Sequence, residues 1–223
     1  MPISPSTFDF LNDLKANNTR EWFQDHKARY EAAYANVIDF ADGLLDKMNE
    51  HDHLVPMTAK KSLFRIYRDV RFSKDKSPYK NHWGGRMKRA TEELRGGYYY
   101  HIEPGNSFVA GGFWAPDKED LKRIRDEFAA DADPIRAITA DPDFVKMFGQ
   151  LKGDAVKTAP KGFSKEHPNI DLIRMKQFIV TREFSDESVL QDSYVDEVVN
   201  TFLAMRPYFD YMSEVLTTNA NGA

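Results

Sequence analysis

The 223-residue chain is 41% hydrophobic, with 16 Phe, 10 Tyr and 3 Trp, which supplies a packed interior and excludes a disordered chain. It has no cysteine, so a disulfide framework, a thiolate nucleophile and Cys-ligated zinc are excluded. The formal net charge of −4 conceals an asymmetry: residues 60–89 hold eleven Lys/Arg against two Asp, a segment at +9 in an otherwise strongly acidic chain.

No run approaches the roughly 18 to 20 apolar residues that span a bilayer. The start, MPISPSTFDF, lacks the basic and apolar regions of a signal peptide, so a cytoplasmic protein is expected. Thr7 is expected to cap a first helix, FDFLNDLKA, which stops at Asn17-Asn18. Asn18 then opens one long helix, with Glu21 three residues on for a capping box. Trp22, His26, Tyr30, Ala33, Val37, Ala41, Leu44 and Met48 recur as its apolar stripe.

From residue 62 the period changes to two. Phe64, Ile66, Val70 and Phe72 alternate with Arg65, Tyr67, Asp69 and Arg71, which predicts a strand over 62–72, with a helix as the alternative. Further strands are expected near 82–88, 97–103, 107–114 and 175–184. The run GGYYYHIEPGNSFVAGGFW reads as a hairpin around EPGN. Helices follow Pro116, with Leu121, Ile124 and Phe128 inward, and then Asp133-Pro134 and Asp141-Pro142, each read as cap plus proline. Residues 151–170 read as a long loop. Ser193 is expected to cap a last helix that Pro207 kinks or restarts. The order predicts an α+β fold with a mostly antiparallel sheet packed against N-terminal, central and C-terminal helices. A single domain over 1–216 and a disordered tail over 217–223 are expected.

If 64–72 is a strand, Arg65, Tyr67, Asp69 and Arg71 leave one face at intervals of about 6.6 to 7 Å. Arginine forks suit phosphate or carboxylate oxygens, and Lys74, Lys76 and Lys80 follow from the loop. Such cations repel one another by on the order of several kcal/mol at close range unless anions sit among them. Either a ligand or the protein's own carboxylates, such as Glu21 and Asp25, must neutralise them. His101 and Glu103 share a strand face with Tyr99, as a base and its orienter or as half-exposed sheet residues. With His82 they could hold a metal, but no metal site is expected. His26 reads as a core residue or, with Trp22 and Lys27, as a wall of the basic pocket. Lys152, Lys157, Lys161, Lys165, Arg174 and Lys176 form a second cationic group, a solvated loop or the other half of an anion site.

NNTREWFQDHKARYE, FRIYRDVRFSKDKSPYKNH, GGYYYHIEPGNSFVAGGFWAP, FGQLKGDAVKTAPKGF and HPNIDLIRMKQFIV resemble, in order and spacing, the bacterial and fungal family catalogued as domain of unknown function 2461. The resemblance runs from about Phe8 to Tyr211 and implies a single family domain. It implies no settled activity. Its motifs coincide with the polar residues above and imply a site of Arg20, Trp22, His26, Arg65, Arg68, Arg71, Lys74 and Lys80.

The leading expectation is therefore a pocket for a phosphorylated or otherwise anionic small molecule. Arg20, Trp22, Arg65, Arg68, Arg71, Lys74 and Lys80 would bind it, with His101, Glu103 and His26 as acid/base candidates should chemistry occur. The alternatives are a scaffold that docks an acidic partner and a binder of RNA or single-stranded nucleic acid. The net charge opposes the nucleic-acid reading, because a general coat would make the whole domain basic. The sequence specifies no cofactor, no oligomeric state and no membrane partner.

Overall fold

The computed structural model describes residues 2–218. The fold is α+β, with a four-stranded antiparallel sheet in the order β1-β2-β3-β4. The strands are β1 (Trp83–Lys88), β2 (Gly97–Ile102), β3 (Ser107–Phe113) and β4 (Phe178–Phe184). All four were legible as expected strands, and β2 and β3 form the expected hairpin. Its turn places Gly105 at φ 76, where a side chain would be strained, and the Asn106 amide donates to the Glu103 carbonyl.

The chain forms two compact units. The first comprises Met1–Met87, Tyr99–Val109 and Glu183–Asn200. Its opening helix, α1 (Pro5–Ala16), starts three residues before the expected Phe8. Ser4 is the cap, because its Oγ accepts from the Thr7 amide with Pro5 at the first helical position. The long helix expected from Asn18 is two helices, α2 (Arg20–Asp25) and α3 (Lys27–Asn49). Thr19 caps α2, since the Asn18 amide is engaged elsewhere: its Oδ1 accepts from the Tyr79 N–H at 3.1 Å and its Nδ2 donates to the Tyr79 carbonyl at 3.0 Å. His26 breaks the helix, with its Nδ1 2.8 Å from the Trp22 carbonyl oxygen. Beyond that break the stripe behaves as expected, and Ala33, Val37, Ala41, Leu44 and Met48 are buried. Trp22, His26 and Tyr30 are only half-buried.

Residues 62–72 are not a strand. A short helix, α4 (Ala59–Ser62), leads into extended backbone that makes two isolated bridges, Leu63 with Gly85 and Tyr67 with Tyr79. Of the expected core face only Ile66 is buried; Phe64 is 39% exposed and Phe72 96%. The segment folds back on residues 78–80, with Arg68 N–H donating to the Pro78 carbonyl and Lys80 N–H to that of Ile66. Pro78 has no N–H to extend this pairing into a ladder. Short helix α9 (Asp186–Val189) and most of α10 (Tyr194–Ala204) complete the unit, where Tyr194 stacks on Phe40.

The second unit comprises Lys88–Tyr98, Ala110–Arg182 and Thr201–Ala223. It holds α5 (Lys118–Ala130), α6 (Asp133–Ala140), α7 (Pro142–Phe148), α8 (Ile170–Ile173) and α11 (Arg206–Thr217). Asp141 caps α7 as expected, whereas Asp133 is the first residue of α6 and caps nothing. Pro207 restarts the chain as α11, whose contacts with α5 and α6 build the interior with Phe128, Phe178, Phe202 and Phe209. The expected tail starts at residue 217, but Thr217 is the last residue of α11; residues 219–223 lie outside those described. Among the described residues no helix is long and apolar enough to cross a membrane.

Candidate functional site

The basic segment distributes its cations unequally. Arg71 makes a two-point ion pair with Asp69, Nε to Oδ1 at 2.9 Å and Nη2 to Oδ2 at 2.6 Å. Arg68 pairs with Asp75, whose carboxylate also accepts from the amide and hydroxyl of Ser77. The neutralising acids thus come from the loop itself, and neither Glu21 nor Asp25 pairs with these arginines. Lys74 is exposed, as is Arg20 at the start of α2.

Arg65, Lys80 and Arg86, like several exposed lysines of the segment, make no ion pair among the described residues, but Lys80 and Arg86 share one aromatic ring. Lys80 Nζ lies 5.5 Å from the Phe64 ring centre and Arg86 Cζ 5.9 Å from it. Burial, and then the charge of Arg65, lowers the Lys80 pKa. Arg86 escaped the sequence reading, although its signal was there. His82, Gly84 and Arg86 alternate along the β1 segment and share a face, while Trp83, Gly85 and Met87 are buried.

Beside this rim lies a polar file on β2. Tyr99, His101 and Glu103 share one face, as their spacing predicts, and Tyr98, Tyr100 and Ile102 are buried on the other. The Tyr99 hydroxyl is 2.8 Å from His101 Nδ1, and His101 Nε2 is 3.1 Å from Glu103 Oε2. Asn81 Nδ2 donates to Glu103 Oε1 at 2.6 Å, and Asn106 Nδ2 to Oε2 at 2.8 Å. The Lys15 ammonium stands 3.8 Å from Oε1. The hairpin turn positions this carboxylate, because Ser107 Oγ accepts from the Glu103 N–H and donates to its carbonyl. His82 is brought against the file from β1, its ring centre 4.2 Å from that of His101. Phe108 stacks on the other ring contact of His101, at 4.6 Å.

Burial, and then His101, pushes the His82 pKa down to about 4. Burial also lowers that of His101, against the opposing hydrogen bond from Glu103. Burial would raise Glu103, but hydrogen bonds from Asn106 and His101 hold it below the usual carboxylate range. Burial, helped by the Glu103 charge, lifts Tyr99 to about 12. At neutral pH the file is a carboxylate, two neutral imidazoles and a neutral phenol, a set able to relay a proton or to ligate a metal.

His26 and Trp22 stand apart from this group. Their rings stack at 4.1 Å, and Trp22 packs on Phe10. Among the described residues no hydrogen bond, ion pair or ring contact joins either to His101, Glu103 or the cations of 65–80. The second cationic group, in the second unit, has local partners: Lys152 with Thr181, Lys165 with Glu166, Lys176 with Asp154, and Arg174 with the Val156 carbonyl.

The family model for conserved hypothetical protein (DUF2461) matches residues 6–211. The chain belongs to the DUF2461 family. That match takes in His82, His101, Glu103 and the whole cationic rim, so the candidate site lies within the DUF2461 region. Neither a curated protein nor a solved structure matches the chain. The DUF2461 description names no reaction, which leaves function to the geometry.

Proposed function

We propose that the first unit binds a small anionic molecule bearing a planar group, held over Phe64 by Arg65, Lys80 and Arg86. The observation that carries this reading is the contrast in pairing. Arg68 and Arg71 are neutralised by Asp75 and Asp69, while Lys80 and Arg86 lie over a partly exposed phenyl ring, with Arg65 acting on Lys80 and no ion pair to any of the three among the described residues. Like charges kept this close cost on the order of 1 kcal/mol or more at the dielectric of a protein surface. A bound anion removes that cost, and the ring offers a stacking face for a planar group. Arg65, Lys80 and Arg86 supply the charge; Tyr99 packs beside Phe64 and links the rim to the His101 file.

Thermal-shift measurements with sulfate, pyrophosphate and nucleoside monophosphates test this. Stabilisation by at least one anion is expected, lost in Lys80→Ala and in Arg86→Ala but kept in Arg71→Ala. Stabilisation by none of them, or stabilisation that survives both rim variants, overturns the reading.

A further inference from the structure

We propose that His82, His101 and Glu103 form a site for a divalent transition-metal ion of the zinc class, and that this ion takes part in holding the anion. The second clause rests on the proposed function; the first does not. One ligand atom from each of the three side chains lies within 4.8 Å of the others, and His101 Nε2 and Glu103 Oε2 are already 3.1 Å apart. Four-coordinate sites with bonds of about 2.0–2.2 Å place their donors roughly 3.3–3.6 Å apart, so the His82 ring alone has to move in. Two imidazoles and one carboxylate are a donor set that leaves a fourth position open. Imidazole nitrogens also select against magnesium and calcium, which take oxygen ligands.

Two features go beyond the coincidence of three donors. His82 is half-buried, and neither ring nitrogen makes a hydrogen bond among the described residues, so a lone pair is available to a metal without breaking a bond of the fold. His101 and Glu103 also have a supporting shell. With its proton on Nδ1, His101 donates to the Tyr99 oxygen 2.8 Å away and leaves the Nε2 lone pair for a metal. The Asn81 and Asn106 amides bond both Glu103 oxygens and hold the carboxylate plane.

The electrostatics tie this site to the rim. A divalent ion with one carboxylate carries a residual positive charge, and Lys80 and Arg68 act on His82. The neighbouring cations thereby weaken the metal site on its own, and a bound anion relieves that effect. Metal and phosphate are expected to bind cooperatively, each tightening the other by the same factor.

The test uses the full chain stripped with a chelator and titrated with Co²⁺ and Zn²⁺, followed by calorimetry and by the visible absorption of bound Co²⁺. One ion per chain is expected, with affinity reduced about 10- to 100-fold in Tyr99→Phe and binding lost in His82→Ala and Glu103→Gln. His82→Ala removes a donor without taking a hydrogen bond from the fold, and circular dichroism checks that it stays folded. No uptake of either metal, or equal uptake by folded His82→Ala, overturns the metal site. Metal uptake unchanged by inorganic phosphate keeps the metal site and overturns its coupling to the anion. Anion stabilisation that depends on Lys80 and Arg86 without any metal uptake overturns this inference alone and leaves the proposed function standing.

Discussion

The Tyr99 hydroxyl stands 2.8 Å from His101 Nδ1 and fills the space that a side chain at residue 84 would occupy. A Cβ on Gly84 would meet that hydroxyl at 2.8 Å, whereas a Cβ on neighbouring Gly85 would meet the Tyr100 ring and hydroxyl at 2.2 Å. The two glycines open opposite faces of β1, one to the polar file and one to the core.

Gly84→Ala and Gly85→Ala are therefore expected to differ in kind. Tyr99 is half-exposed and can swing aside, so Gly84→Ala should cost about 1 kcal/mol and detach the hydroxyl from His101. Tyr100 is 1% exposed and cannot yield, so Gly85→Ala should cost about 3 kcal/mol or prevent folding. Urea denaturation ranks the pair, and the His101 ring signals in NMR report the lost hydrogen bond. Equal costs would show that the β1 register is wrong.

Asp210 holds a buried cation. Arg89 is 0% exposed and donates from Nη2 to Asp210 Oδ1 at 2.7 Å. Asp210→Ala should destabilise by about 1.5–3 kcal/mol, since it removes a hydrogen bond between charged groups at a fully buried guanidinium. Asp69→Ala, at the exposed Arg71 pair, should leave the denaturation midpoint unchanged. Both are read from the same denaturation series.

Tyr208 is fully buried and donates its hydroxyl to the Phe178 carbonyl at 2.8 Å. Tyr208→Phe keeps the ring and removes that bond, a loss of about 1 kcal/mol in thermal or urea unfolding. No loss would mean that another donor reaches the carbonyl.

The loop around Asp75 should respond to acid. The Ser77 amide and hydroxyl, and then Arg68, hold the Asp75 carboxyl well below the usual carboxylate range. Its folded-state pKa is depressed, so the loop's stabilisation is present above about pH 4 and is lost as pH falls through the lower folded value. The Ser77 amide signal should titrate with Asp75 well below pH 4 and become insensitive to pH in Asp75→Asn. A midpoint near pH 4 would contradict the three hydrogen bonds.

Much of this was readable beforehand, for physical reasons that differ by element. The four strands of the sheet and the shared face of Tyr99, His101 and Glu103 follow from a side-chain period of two, which adjacent residues set among themselves. The fate of 62–72 does not. Its alternation is as regular as that of β2, but the residues that pair with it are 78–80, and Pro78 stops that pairing.

The same division runs through the site. Spacing along β2 places a histidine and a carboxylate together, since a strand's geometry is local. Which cations are neutralised, by contrast, depends on which acids come within reach after folding. Asp69 and Asp75 take Arg71 and Arg68, while Lys80 and Arg86 lie over Phe64. The engagement of Asn18 by Tyr79 and the approach of His82 to His101 are likewise long-range events. Periodicity by itself determined the four strands of the sheet and the buried stripe of α3; the choice among partners of equal local merit was made only by the tertiary structure, because hydrogen bonds and ion pairs act between groups that the chain first has to bring together.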